Sequence, residues 1–171
     1  MRNTAGIIAL TAFAAACASI APSGWAAVAT LEATKGNTAS GTVSFVQKGD
    51  KVVVTARVTG LAPGAHGFHV HEKGDCSTPD AMSAGGHFNP TGKPHGDPNV
   101  PDHHAGDMPM LQADASGNAM LSAELGPMTV GSGVTDIVGK SVIVHKDPDD
   151  FKTQPTGNSG PRVACGVINK S

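Results

Sequence analysis

Charge, cysteine and aromatic rings are all scarce in this sequence, and each shortage narrows what the chain can be. Charged residues make up 15% of the 171, with 12 Lys and Arg against 14 Asp and Glu. A chain without excess positive charge lacks the electrostatic footprint of a nucleic-acid binder. No apolar run reaches the ~20 residues that a bilayer span needs; the one from Ala5 to Ala16 is shorter, so no membrane span is expected. Cysteine occurs only at Cys17, Cys76 and Cys165, which argues against iron–sulfur chemistry. Tyrosine is absent, Trp25 is the only tryptophan, and there is no internal repeat or heptad pattern.

The first 26 residues, "MRNTAGIIALTAFAAACASIAPSGWA", read as a secretory signal peptide. One positive charge at Arg2 precedes an Ala-rich apolar stretch, and small residues at Gly24 and Ala26 suit cleavage after Ala26. A lipoprotein-type cut before Cys17 is the lesser alternative, because Ala14 stands where a large aliphatic residue is expected. Cleavage after Ala26 removes Arg2 and no acid, leaving 11 basic and 14 acidic residues and a net charge of −3. It also leaves two cysteines, and in an oxidising compartment an even pair reads as one disulfide, Cys76 with Cys165. Closing a loop of that length stabilises a fold by about 4–5 kcal/mol in the chain-entropy model.

The remaining chain is long enough for one domain with its own core. Its 22 glycines and 12 prolines argue for many turns. Short runs rich in Val, Ile and Thr read as strands: "ATLEATK" ending at Lys35, 41–47, 51–60, 66–72, 110–125 with a turn at 116–118, 141–145 and 163–168. About eight short strands fit an all-β antiparallel sandwich or barrel. Two long irregular stretches, roughly 75–109 and 146–161, interrupt them, and connections of that size usually carry function.

All eight histidines lie between His66 and His145. In a strand, His69 and His71 share one face while Phe68 and Val70 share the other. Two imidazoles on one face form half a metal site, although solvated histidines on a half-exposed strand would look the same. The loop "GGHFNPTGKPHGDPNVPDHHAGDMP" adds His87, His95, His103, His104 and Asp107 without any thiolate. That donor set suits zinc and copper. His145, at the end of "SVIV", is a weak signal alone; with His69 and His71 it makes a third imidazole at a strand end. Two sites follow, one strand-borne and redox-capable, the other loop-borne and closed.

The motifs "GFHVHEKGDC", "GGHFNP", "KPHG", "HAGDMP", "VIVH" and "GNSGPRVACGVI" occur in the order and spacing of the copper/zinc superoxide dismutases, most like the secreted bacterial branch. The resemblance runs from about Gly41 to Ile168. It implies an eight-stranded Greek-key β-barrel, one copper and one zinc per subunit, and a periplasmic location. Position by position, His69, His71, His87 and His145 resemble the copper ligands, and His87, His95, His104 and Asp107 the zinc ligands, with His87 shared. His104 is preferred to His103 because "HAGD" fits the family's His-x-Gly-Asp spacing. His66 resembles a structural histidine, Asp149 the carboxylate that orients ligand rings, and Arg162 the arginine beside the copper. The Cys76–Cys165 pair matches the family disulfide.

The implied reaction is dismutation of superoxide to oxygen and hydrogen peroxide, with superoxide as the only partner implied; the resemblance leaves a homodimer open. Since the substrate is an anion and the chain is net negative, attraction must be local. Arg162 is expected at the floor of the cleft, with Lys146 and Lys152 as outer guides. The stretch "KDPDDFKTQPTGNSGP" lacks the denser Glu/Lys run of the eukaryotic branch. Two other readings compete: a metal-buffering protein that kept the fold, against which the zinc set and Arg162 count, and a zinc hydrolase, which would need a base beside an open zinc.

Overall fold

The computed structural model describes residues 25–171. The expected leader, with Cys17, lies outside the described residues except for Trp25 and Ala26. Nine strands follow in order: β1 (Ala26–Ala33), β2 (Ser40–Lys48), β3 (Lys51–Thr59), β4 (Gly64–His66), β5 (Phe68–His71), β6 (Leu111–Ala113), β7 (Ala119–Leu125), β8 (Ser141–His145) and β9 (Arg162–Lys170). The neighbour order is β4-β6-β7-β3-β2-β1-β9-β8-β5, and every pair is antiparallel. The two ends of that order, β4 and β5, are consecutive in the chain, so the sheet nearly closes into a barrel through one residue, Gly67.

Period-2 patterning builds the interior. In β3, Val52, Val54, Ala56 and Val58 point inward and are buried, as are Val43 and Phe45 in β2. Phe68, Val70, Val142, Val144 and Ile168 join the same core. Each such side chain contributes roughly 1.5–3 kcal/mol by leaving water. On the outer face of β8 and β9, Ile143 and Cys165 pack with Ala81, Ala84 and Cys76, so the disulfide-linked loop lies against the barrel wall.

The run 66–72, which reads as one strand, is two. A side chain at Gly67 would collide with Ser159, its N–H donates to the Asp147 carbonyl (2.9 Å), and its own carbonyl accepts from His145 N–H (2.8 Å). Held there by the 146–161 loop, the chain leaves β4, paired with β6, and enters β5, paired with β8. This division makes nine strands where eight were expected.

Strand β1 begins before the expected cleavage point. The Trp25 carbonyl accepts from Gln47 N–H (2.9 Å) and the Ala26 carbonyl from Ser171 N–H (3.0 Å). No helix among the described residues is long and apolar enough to cross a membrane.

Candidate metal centre

Strand β5 is buried on both faces: Phe68 and Val70 fill the barrel, while His69 and His71 face outward beneath the two long loops. Its free edge is paired by the first loop. Val70 N–H donates to the Gly106 carbonyl (2.8 Å), and Phe88 N–H donates to the Val70 carbonyl (2.9 Å). These bonds set His87 opposite His71 and Asp107 opposite His69. On the other side β8 ends at a register shift between Val144 and His145, which turns His145 toward the same place.

Two buried groups result: His69, His71, His87 and His145, and His87, His95, His104 and Asp107. Within each group one ligand atom per residue lies within 4.8 Å of every other. His66 and His103 stand apart. Both ring nitrogens of His66 meet carbonyl oxygens, those of His145 and Ala62 (each 2.8 Å), so it ties β4 to the end of β8. His103 is buried with Nδ1 on the His104 carbonyl (2.6 Å).

Hydrogen bonds fix which nitrogen of each ring is bare. His71 Nδ1–H donates to the Gly85 carbonyl (2.9 Å) and His145 Nδ1–H to that of Gly160 (3.1 Å). Their Nε2 lone pairs therefore face each other at 3.4 Å. His69 Nε2–H donates to Asp149 Oδ2 (2.6 Å), leaving its Nδ1 buried without a partner; His87 Nε2 is also buried and unpartnered. Buried polar atoms without partners are rare and need a reason. Four bare nitrogens converging on one point have one in a cation.

In the second group Asp107 is the hub. Its Oδ2 accepts from the His104 and Gly96 N–H groups (2.9 and 3.1 Å), and its Oδ1 faces His87 Nδ1 and His95 Nδ1 (both 3.0 Å) and His104 Nδ1 (3.5 Å). Asp149 joins the two groups, with Oδ1 on His95 Nε2 (2.9 Å) and Oδ2 on His69.

The groups differ in charge preference. Burial pushes His87 down to about 4 and His145 down to about 3, with the neighbouring His69 ring adding to both, and burial holds His71 well below the ordinary imidazole value. Burial also lowers His69, outweighing its bond to Asp149. At His95 burial opposes the charged ring too, but the bonds to Asp107 and Asp149 win and raise it to about 9. Asp107 and Asp149 would be raised by burial; donation from His104, His87 and His95 to the first, and from His69 and His95 to the second, holds both far below the usual carboxylate range.

A cleft of about 760 Å³ opens over His71 and His145, with Arg162, Lys35, Asp80 and Met82 among its lining. The Arg162 guanidinium donates to the Ala81 carbonyl (2.6 Å) and the Gly85 carbonyl (2.5 Å). Ala81 holds a left-handed backbone (φ 56°) within the disulfide-linked loop, and that conformation aims its carbonyl at the arginine. Lys146 and Lys152, expected as outer guides, do not line this cleft. Lys146 lies along a separate hollow with His66, because β8 has already carried the chain past the opening.

The model of the copper/zinc superoxide dismutases matches residues 39–168. The chain belongs to this family. Members of the copper/zinc superoxide dismutase family are oxidoreductases that dismute superoxide, and they bind copper and zinc. A solved structure described as the clock protein EA4 is similar in fold, with a TM-score of 0.78 and 40% sequence identity over 86% of this chain and 95% of that one. The residues present fit both metals: the bare His69 Nδ1 and His87 Nε2 are what a copper site of imidazoles requires, and three imidazoles with one carboxylate suit zinc.

Reading the sequence missed four contributors: Lys35 in the cleft, the Ala81 and Gly85 carbonyls that hold Arg162, and Gln154, whose amide bonds the His95 backbone. None carries a motif. Their positions depend on the paths of loops.

Proposed function

We propose that this chain dismutes superoxide to oxygen and hydrogen peroxide with His69, His71, His87 and His145 as copper ligands and His87, His95, His104 and Asp107 as zinc ligands. The observation that carries the reading is the pair of convergent donor groups sharing one ring, His87, whose Nδ1 faces one group and whose Nε2 faces the other without a protein partner. Copper, which changes oxidation state, would supply the electron transfer, and zinc, which does not, would hold the shared ring.

The chain's own residues do the rest. Arg162, a permanent cation with several donors, binds a small anion at the floor of the cleft. Its position favours an enzyme over a metal-buffering protein. Asp149 orients the His69 and His95 rings together, so the two sites share one carboxylate as well as one imidazole. His87 Nε2, buried beside the His71 ring (centroids 5.0 Å apart), can carry a proton and pass it to the product. Local cations in the cleft offset the net negative charge and can raise association by ~10–10³.

The protein acts in the periplasm as an antioxidant enzyme after removal of residues 1–26. The composition of the leader and the disulfide, a bond found chiefly in oxidising compartments, support this. A chain cut after Ala26 has neither tryptophan nor tyrosine, so the exported protein should show almost no aromatic absorbance in the near ultraviolet; a tryptophan signal places the cut elsewhere.

Superoxide loss measured together with the metal content of the purified protein tests the function. One copper and one zinc per chain with rapid superoxide loss is the expected outcome. Zinc alone in an inactive protein overturns it.

A further inference from the structure

Six of the seven candidate ligands are held by strands, by bridges to β5 or by one another. His69, His71 and His145 belong to strands, His87 and Asp107 are bridged to β5, and the His104 N–H donates to Asp107. The His95 ring meets Asp107, but its backbone is held by neither a strand nor another ligand. Its N–H donates to Gln154 Oε1 (2.8 Å) and its carbonyl accepts from Gln154 Nε2 (2.8 Å). One side-chain amide thus makes both bonds that a neighbouring strand would make. Gln154 Nε2 also donates to the Lys152 carbonyl (3.2 Å), which ties the clamp into its own loop.

The same loop reaches His95 at two more points. Asp149 accepts from the ring, and Gly157 (φ 65°) lies so close to the ring and to Asp149 that any side chain there would collide with both. Gln154 differs from these two. It sits on the surface and bonds only backbone atoms, those of His95 and Lys152, so replacing it removes no metal-facing atom.

We propose that Gln154 is a positioning residue of the zinc site, clamping His95 so that its ring stays between Asp107 and Asp149 and zinc is retained. The inference rests on the reading of His95 as a zinc ligand. Loss of a group that orients a ligand typically costs 10–100-fold in metal affinity, and the same range is expected here.

The test is zinc release from the fully loaded enzyme to a chromogenic chelator. Gln154→Ala should release zinc at least tenfold faster, while copper release changes less than twofold. Gln154→Glu keeps the acceptor for the His95 N–H but loses the donor to its carbonyl, and should fall between. Thr153→Ala, which removes a bond to Asp150 in the same loop, is the control for general loosening and should leave zinc release unchanged. With cobalt in place of zinc, the visible spectrum should broaden in Gln154→Ala and not in Thr153→Ala. Zinc release within twofold of the parent, or equal acceleration by Thr153→Ala, overturns the clamp while leaving His95 as a ligand. A parent protein that takes up no zinc refutes the ligand assignment itself.

Discussion

The two halves of the metal centre are both built mainly from imidazoles and respond to charge in opposite ways. His71 and His145, with His69 and the shared His87, face one another across bare nitrogens, and burial disfavours the protonated form of all four rings. His95 stands between two carboxylates and takes up a proton readily. In the metal-free chain that proton supplies the positive charge that Asp107 and Asp149 require. The first half is an empty set of lone pairs, whereas the second holds a provisional cation. The difference follows from the scaffold: strands present neutral rings at fixed spacing, while the loop brings its own acid.

The largest expected effect comes from removing that acid. Asp107→Ala strips the partner from His87 and His95 and leaves the His104 and Gly96 N–H groups unsatisfied. Breaking a buried charged cluster costs about 3–5 kcal/mol. Urea unfolding of the metal-free variant should show a loss of that order, and zinc titration should show no specific uptake, while His69, His71 and His145 still take copper. An equal loss of both metals would erase the distinction between the halves.

The pH dependence of the metal-free chain comes next. Neutral buried rings at His87 and His145, with values of about 4 and about 3, contribute stability present above the ordinary imidazole value near 6.5 and lost as the pH falls toward 3–4. His95, raised to about 9, contributes stability present below 6.5 and lost as the pH rises through 9. Unfolding free energy should therefore fall on both sides of neutrality. His95→Gln should abolish the alkaline fall and keep the acid one; persistence of the alkaline fall would assign it to another group.

Much of this centre is legible in the sequence. The alternation of His69 and His71 with Phe68 and Val70 reports a strand with one face on the core, and the donor-rich loop reports a second site. The pairing of Cys76 with Cys165 was legible because Cys17 falls in the stretch that reads as a leader, which leaves no other partner. What was not legible depends on where the chain turns. "HGFHVHE" looks continuous, and only the approach of Ser159 to Gly67 divides it. Lys146 and Lys152 flank the ligand residues in sequence, yet Lys35, more than a hundred residues away, lines the cleft. Sequence proximity predicts side-chain placement within a strand and fails across a loop.

The cleft gives the smallest effects. Arg162→Ala should lower turnover and flatten its dependence on ionic strength, because the guanidinium is the cation fixed beside His71 and His145. Lys35→Ala should reduce the rate about two- to threefold at low salt only, and Lys152→Ala should leave it unchanged. Turnover in Arg162→Ala equal to the parent's at every ionic strength would remove the anion site from the cleft floor.

The central claim is that one ring, His87, belongs to both halves. Separate titrations of copper and zinc into metal-free His87→Ala test it most directly. The account predicts that both affinities fall more than tenfold. If either metal binds as it does in the parent chain, the two sites are independent and the shared ring is not the link between them.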